Sequence, residues 1–271
     1  MKTTLLSNIL LNIKYHQKRM EFSRVISLIF FCFLFVPVCK SGPITVYGGI
    51  IPGLHSYKKN GEVEGNIFLA FDRLMKVSNI EYDLQLMNLA RANRQFRKEQ
   101  ESFYISMARV KSNEKNFQWI LPWSMLDFRI AKLKSSKVEV PKTFKALKKY
   151  NFGVQRGAVT EGILKQQGFI EGKHYITMPD PVQLVKLLND GLIDFVFYEP
   201  TISANVLSLY GYSPEMMEIT DIEVPNKPEI WLAGSKRLSV DIVNKIKQNH
   251  ERLLAEHEYS SLIQGILPSI Q

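Results

Sequence analysis

The stretch LLNDGLIDFVFYEP, Leu187–Pro200, decides the fold class. Its first residues close a leucine-rich amphipathic segment that starts at Pro181, a residue suited to the first turn of a helix. Gly191 ends that segment, and Ile193–Tyr198 follows as a short apolar run rich in β-branched and aromatic residues, the mark of a buried strand. Pro200 then opens a second helical stretch reaching Tyr210. Helix, strand and helix within thirty residues is the signature of an α/β layer rather than of a bundle or an all-β sandwich.

Working outward, the same alternation recurs. Thr143–Tyr150 reads as a short helix, Phe152–Gln155 as a strand, Thr160–Gln167 as a helix after Gly157, and His174–Met178 as a strand. An earlier set runs Ile44–Tyr47 (strand), Asn66–Lys76 (helix), Tyr82–Met87 (strand), Leu89–Glu99 (basic helix) and Phe103–Ala108 (strand). In the first of these helices Ile67, Phe68, Phe71, Leu74 and Met75 form one apolar side. The alternation predicts parallel-type sheets. After Trp119–Trp123 comes an extended segment, Phe128–Lys134; Ile230–Ala233 is a late strand and Val240–Leu254 a long terminal helix. Two consecutive sets with no linker between them predict two lobes.

Both cysteines, Cys32 and Cys39, lie in or beside the apolar run Val25–Val38, which follows Lys18, Arg19 and Arg24 and precedes a small-residue exit. This is the layout of a secretory signal peptide over residues 1–41, with Met20 as an alternative start. Such a run rises only about 21 Å as a helix, short of the roughly 30 Å of a bilayer core. Lipidation at Cys39 and an uncleaved anchor are the alternatives. The expected location is the periplasm. The chain carries 35 Lys/Arg against 26 Asp/Glu, a formal +9; beyond residue 41 the balance is 29 against 25. That mild, scattered excess argues against nucleic acid as a partner.

Four segments in order resemble the extracellular solute-binding proteins of family 3, the amino-acid-type receptors of ABC importers. They are the opening strand with its Pro-containing loop and a turn leading to Glu64-Gly65, then ARVKSNEKNFQWILPW (Ala108 to Trp123), NFGVQRGAVTEGILKQQGF (Asn151 to Phe169), and the Leu187–Pro200 stretch. The resemblance covers about residues 43–265. It implies an α/β, two-lobed periplasmic-binding-protein-like fold of type II. Residues 42–127 and 230–271 would form one lobe and 128–229 the other, with crossings at Phe128–Ala131 and near Val224–Ile230. It further implies a small polar ligand, by default an amino acid or derivative, held by lobe closure, and a membrane permease as partner. The protein would be a monomer with no cofactor and no catalytic role.

The resemblance also assigns candidate ligand-binding residues. Where the family places a carboxylate-binding arginine, this chain has Asn113; Ala108 and Ala158 stand where it has threonines. Arg109 could supply the missing charge or instead pair with an acid at the surface, and the backbone at Gly157–Thr160 could face an anion from a helix start. Glu199 stands where the family has the acid that receives the ligand's amino group; its local reading is a helix N-terminal acid beside Pro200. His55 and Tyr57 fall where aromatic rings meet the ligand. Trp119 is expected in the core, and Trp123 on the hinge side of the cleft.

No catalytic or metal motif stands out: there is no Gly-x-Ser-x-Gly, no His-Glu-x-x-His and no Gly-x4-Gly-Lys-Ser/Thr. His250 and His257, seven apart, read as a solvated helix face. Two other function classes stay open. One is a ligand-sensing module acting on a membrane partner. The other is a dehydratase-type enzyme on the same scaffold, with Glu199 or His55 as acid or base.

Overall fold

The computed structural model describes residues 42–266; the leader expected over 1–41 lies outside them. The first sheet is built from β1 (Ile44–Gly49), β4 (Tyr82–Met87), β5 (Ser102–Arg109), β6 (Gln118–Met125) and β12 (Glu229–Gly234) in the order β4-β1-β5-β12-β6. The second holds β7 (Arg129–Leu133), β8 (Phe152–Gln155), β9 (Tyr175–Met178), β10 (Phe195–Tyr198) and β11 (Met217–Ile219) in the order β11-β7-β10-β8-β9. A small hairpin, β2 (Ser56–Tyr57) with β3 (Val63–Glu64), stands apart. The chain passes from first sheet to second between Met125 and Arg129, and returns between Ile219 and Glu229.

The strands of the two alternating sets pair in parallel as expected, and one reversed strand in each sheet makes both sheets mixed. β1 is parallel to β4 and β5, and β8 to β9 and β10. In contrast β12 runs antiparallel to β5 and β6, and β7 antiparallel to β10 and β11. The reversed strands are those nearest the passages between sheets. They enter without a crossover helix, and it is the crossover helix that enforces parallel pairing.

Helices cover both faces of each sheet. On the first, α1 (Asn66–Val77) buries Ile67, Ala70, Phe71, Leu74 and Met75, spaced to form one stripe. The stripe packs on Val46, Phe103, Ile105 and Leu232, together with α6 (Val240–Leu253) and α7 (His257–Gln264). The opposite face carries α2 (Leu89–Phe96), whose Ala92 and Phe96 meet Tyr47, Tyr104 and Met107. On the second sheet, strand alternation divides β10. Phe195 and Phe197 face α3 (Val159–Gln166), the 3₁₀ turn Phe144–Lys149 and Phe169. Val196 and Tyr198 face α4 (Pro181–Asn189) and α5 (Pro200–Leu209).

The caps set the helix ends. Asp180 accepts a hydrogen bond from the Val182 N–H at 2.9 Å and Pro181 takes the first turn of α4. The segment read as a helix at Thr143–Tyr150 is a 3₁₀ turn, capped by the Thr143 hydroxyl. α1 starts at Gly65, whose φ of 112° lies where L side chains rarely go. A Cβ there would also run into the Leu54 carbonyl. Gly65→Ala should therefore destabilise the protein by about 2 kcal/mol or more, from backbone strain and the clash together. Chemical denaturation measures this; an unchanged midpoint would mean that the hairpin–helix junction relaxes freely.

Candidate functional site

The carboxyl ends of β1, β5, β8 and β10 converge on one cavity of about 720 Å³, lined from both lobes. Sites in open α/β sheets form at this end, because the strands stop there and loops and helix starts take over. The lobes also touch at the rim. Asn88 Nδ2 donates to the Pro179 carbonyl at 2.8 Å, and Asn93 Nδ2 donates to the Gly157 carbonyl at 3.0 Å. Gly157 has a φ of 79°, and a Cβ on it would sit 2.8 Å from Ala90 Cα across the gap.

Glu199 lies at the end of β10, 5% exposed, and lines the cavity. Its Oε2 accepts from the Ile202 N–H at 2.8 Å, so the carboxylate caps α5. Burial pushes its pKa up; the backbone N–H groups of Ile202 and Thr201 pull the other way, and the Asp127 carboxylate adds to the rise. Glu199 is thus the helix N-terminal acid of the local reading, and it also lines the cavity.

Asn113 is buried and also lines the cavity. Its Oδ1 accepts from the Val110 N–H at 2.9 Å and its Nδ2 donates to the Ala108 carbonyl at 2.8 Å, so most of the amide is spent holding its own turn. Arg109 borders the cavity, but Nε and Nη2 grip Glu114, with Nε 3.0 Å from Oε2. Its guanidinium also lies 4.5 Å from the Trp231 ring centre and 5.4 Å from that of Trp119. Gly157 and Ala158 line the cavity at the start of α3. The Gly157 N–H, however, donates to Glu161 Oε2 at 2.8 Å, which puts the helix's own acid at its N-terminus.

Three candidates lie elsewhere. Tyr57 is 45% exposed on the β2–β3 hairpin and is not among the lining residues. Trp123 is buried in the first-lobe core and donates its Nε1–H to the Ile105 carbonyl at 2.6 Å. Trp119, expected in the core, is instead half-buried against Phe117 and Trp231. His55 is fully buried behind the wall, its Nε2 2.5 Å from the Ser106 Oγ, and only Ser106 reaches the cavity. A loop position told which residues come near the cleft but not which of them sink below its surface.

Sequence reasoning missed the α2 wall, Leu89, Asn93 and Arg97. Their spacing of four places them on one helix face, a signal that was legible. It also missed the fully buried Tyr104, which lines the cavity with a hydroxyl that has no hydrogen-bond partner among the described residues. Arg97, Lys111 and Lys227 border the opening as exposed cations, Lys227 held by Asp127 at 2.8 Å. Among the described residues no group of three or more His, Cys, Asp and Glu side chains could hold a metal ion, and no helix is long and apolar enough to cross a membrane.

No family model matches the chain, and no curated protein matches it by sequence. Solved structures do match in fold: α/β, two-lobed, of the periplasmic-binding-protein kind. A histidine kinase sensor domain with similarity to periplasmic binding proteins superposes with a TM-score of 0.73 at 12% identity, over 86% of this chain and 99% of that one. An ABC uptake transporter substrate-binding protein from Streptococcus pneumoniae, with bound histidine, gives 0.70 at 14%, over 84% and 93%. A mutant of ArgBP from T. maritima gives 0.69 at 16%, over 84% and 96%. At such identities the likeness establishes the fold alone.

His55 yields a pH prediction. Burial drives its pKa down to about 4, with the Gly49 and His55 carbonyls only partly offsetting it. The folded protein therefore resists a proton that the unfolded chain accepts near 6.5. The stability this represents is present above pH 6.5 and is lost as pH falls through 4, amounting to about 3 kcal/mol. His250, shifted the same way by burial, adds to it. Urea midpoints of the wild type should fall over this window, and those of His55→Gln should fall less; equal slopes would remove His55 as the cause.

Proposed function

We propose that this chain is a non-enzymatic solute-binding protein of the amino-acid-receptor type. It captures a small solute bearing an ammonium group, an amino acid or a derivative, between its two lobes. In this reading its lobes are those expected from sequence, residues 42–127 with 230–271 and residues 128–229. It acts as an exported monomer in the periplasm, delivering its solute to the membrane permease of an ABC importer. One observation carries the reading: Glu199 is a buried carboxylate with no basic side chain paired to it among the described residues, facing a cavity lined from both lobes. A carboxylate held out of water without a counter-ion is costly, and a bound ammonium offsets that cost. The similarity to substrate-binding proteins of amino-acid transporters supports the same reading.

A second reading has its own support in the similarity to a histidine kinase sensor domain. In it the same closure would signal to a membrane partner instead of delivering cargo. Permease and ATPase genes beside this one favour the first; a signalling gene favours the second. The dehydratase-type reading has less to stand on, since His55, the other acid–base candidate read from sequence, sits behind Ser106 and is not among the lining residues.

Two substitutions test the proposal. Glu199→Ala should weaken an ammonium-bearing ligand found by thermal-shift screening by about 2–5 kcal/mol, read by calorimetry. An unchanged affinity would remove Glu199 from the site. Gly157→Ala places a methyl against Ala90 and should hold the lobes apart. Small-angle scattering should then show a larger radius of gyration with ligand present, and affinity should drop about tenfold or more, the loss expected when the competent state becomes a minor one. Wild-type affinity would mean that binding does not need this contact.

A further inference from the structure

Resting on the solute-binding reading, we infer that the ligand is a primary ammonium ion on a slender apolar body, and that it carries no carboxylate. Two independent features of the cavity lead there.

The first is that the groups which the resemblance assigns to a ligand carboxylate are engaged within the protein. Arg109 is gripped by Glu114 and stacked on Trp231. The Asn113 amide is tied to Ala108 and Val110. The start of α3 is filled by its own Glu161, 9% exposed, which accepts from the Gly157 N–H and pairs with Lys165. An incoming carboxylate would meet that fixed negative charge where it needs donors. The cations bordering the cavity, Arg97, Lys111 and Lys227, are solvent-exposed side chains at its mouth. The interior charge is negative, and it is Glu199.

The second is the shape of what lies beyond Glu199. Ile202, Ser203 and Val206 follow it at spacings of three, four and seven along one face of α5, and all line the cavity, as does Leu207. Leu184, Val185 and Leu188 present the equivalent face of α4. Val196, Tyr198 and Met217 form the sheet side. The cavity thus continues from the buried acid into the second lobe as a channel walled mainly by apolar side chains, with Ser203 and Tyr198 as its members that carry a hydroxyl. Its length, eight residues of helix rise from Glu199 to Leu207, is about 12 Å. A polar side chain would lose its hydration there and find few partners, whereas an alkyl or aryl chain gains from burial.

The test is calorimetry on the full chain at pH 8 with three series of matched chain length: n-alkylamines from ethylamine to octylamine, the corresponding 2-amino acids, and the n-alkanoates. Amine affinity should rise about fourfold per methylene, the factor equivalent to about 0.8 kcal/mol, until the channel is full. Each 2-amino acid should bind at least tenfold more weakly than its amine, and alkanoates should not bind. Val206→Phe should move the best amine to a shorter chain. An amine series with no length dependence would identify the channel as ordinary core packing and overturn the apolar-body claim. Amino acids that match or exceed their amines would overturn the absence of a carboxylate while leaving the solute-binding reading intact. Silence from amines and amino acids alike would sink both.

Discussion

The constraint on which the molecule depends is the position of β12. This strand comes from residues 229–234, yet it lies inside the first sheet, antiparallel to β5 on one side and β6 on the other. Without it β6 would have no neighbour in the first sheet, and Ile230 and Leu232 would be missing from the core beneath α1 and α6. The strands of the second sheet thus all fall between β6 and β12 in the chain, joined to the first sheet by two passages. Everything functional follows from this arrangement. The same two passages bring the carboxyl ends of both sets of parallel strands toward one cavity, so a single ligand can touch both lobes.

Most of the fold was legible because periodicity and punctuation agreed. Tyr82–Met87, Phe152–Gln155 and Pro181–Asn189 have the limits read from sequence, each bounded by a cap, a proline or a glycine. The misses have physical reasons. The β2–β3 hairpin and β11 are two or three residues long, too short for a period of two to register. The helix His257–Gln264 has Tyr259 as its one buried residue, so it carries no stripe to detect. The two reversed strands, β7 and β12, each follow a passage between lobes that holds no helix, so the strand–helix alternation carried no signal of their direction.

The site was less legible than the fold. Glu199 and the α3 start could be placed from the segment order, since strand ends and helix starts coincide with the cavity. Depth could not. His55, Tyr57 and Trp123 all come from segments close to the cleft, yet one is sealed behind Ser106, one lies on an exposed hairpin and one is core. Nor could pairing be foreseen: whether Arg109 was free or engaged depended on Glu114, five residues on, folding back against it across the Trp231 ring. A guanidinium already neutralised and stacked contributes little charge to a neighbouring cavity, whatever its distance.

The contacts between the lobes have one further consequence. The two hydrogen bonds at the rim, from Asn88 to the Pro179 carbonyl and from Asn93 to the Gly157 carbonyl, join neutral side-chain amides to backbone carbonyls. Neither end is charged, so dissolved ions have little to screen. The acceptors belong to the main chain, so surface substitutions on the second lobe leave them in place. These two contacts are thereby insulated from ionic strength and from drift in side-chain identity, unlike the Asp127–Lys227 ion pair that links the two passages. The rim thus keeps the same hydrogen bonds in dilute and in concentrated media.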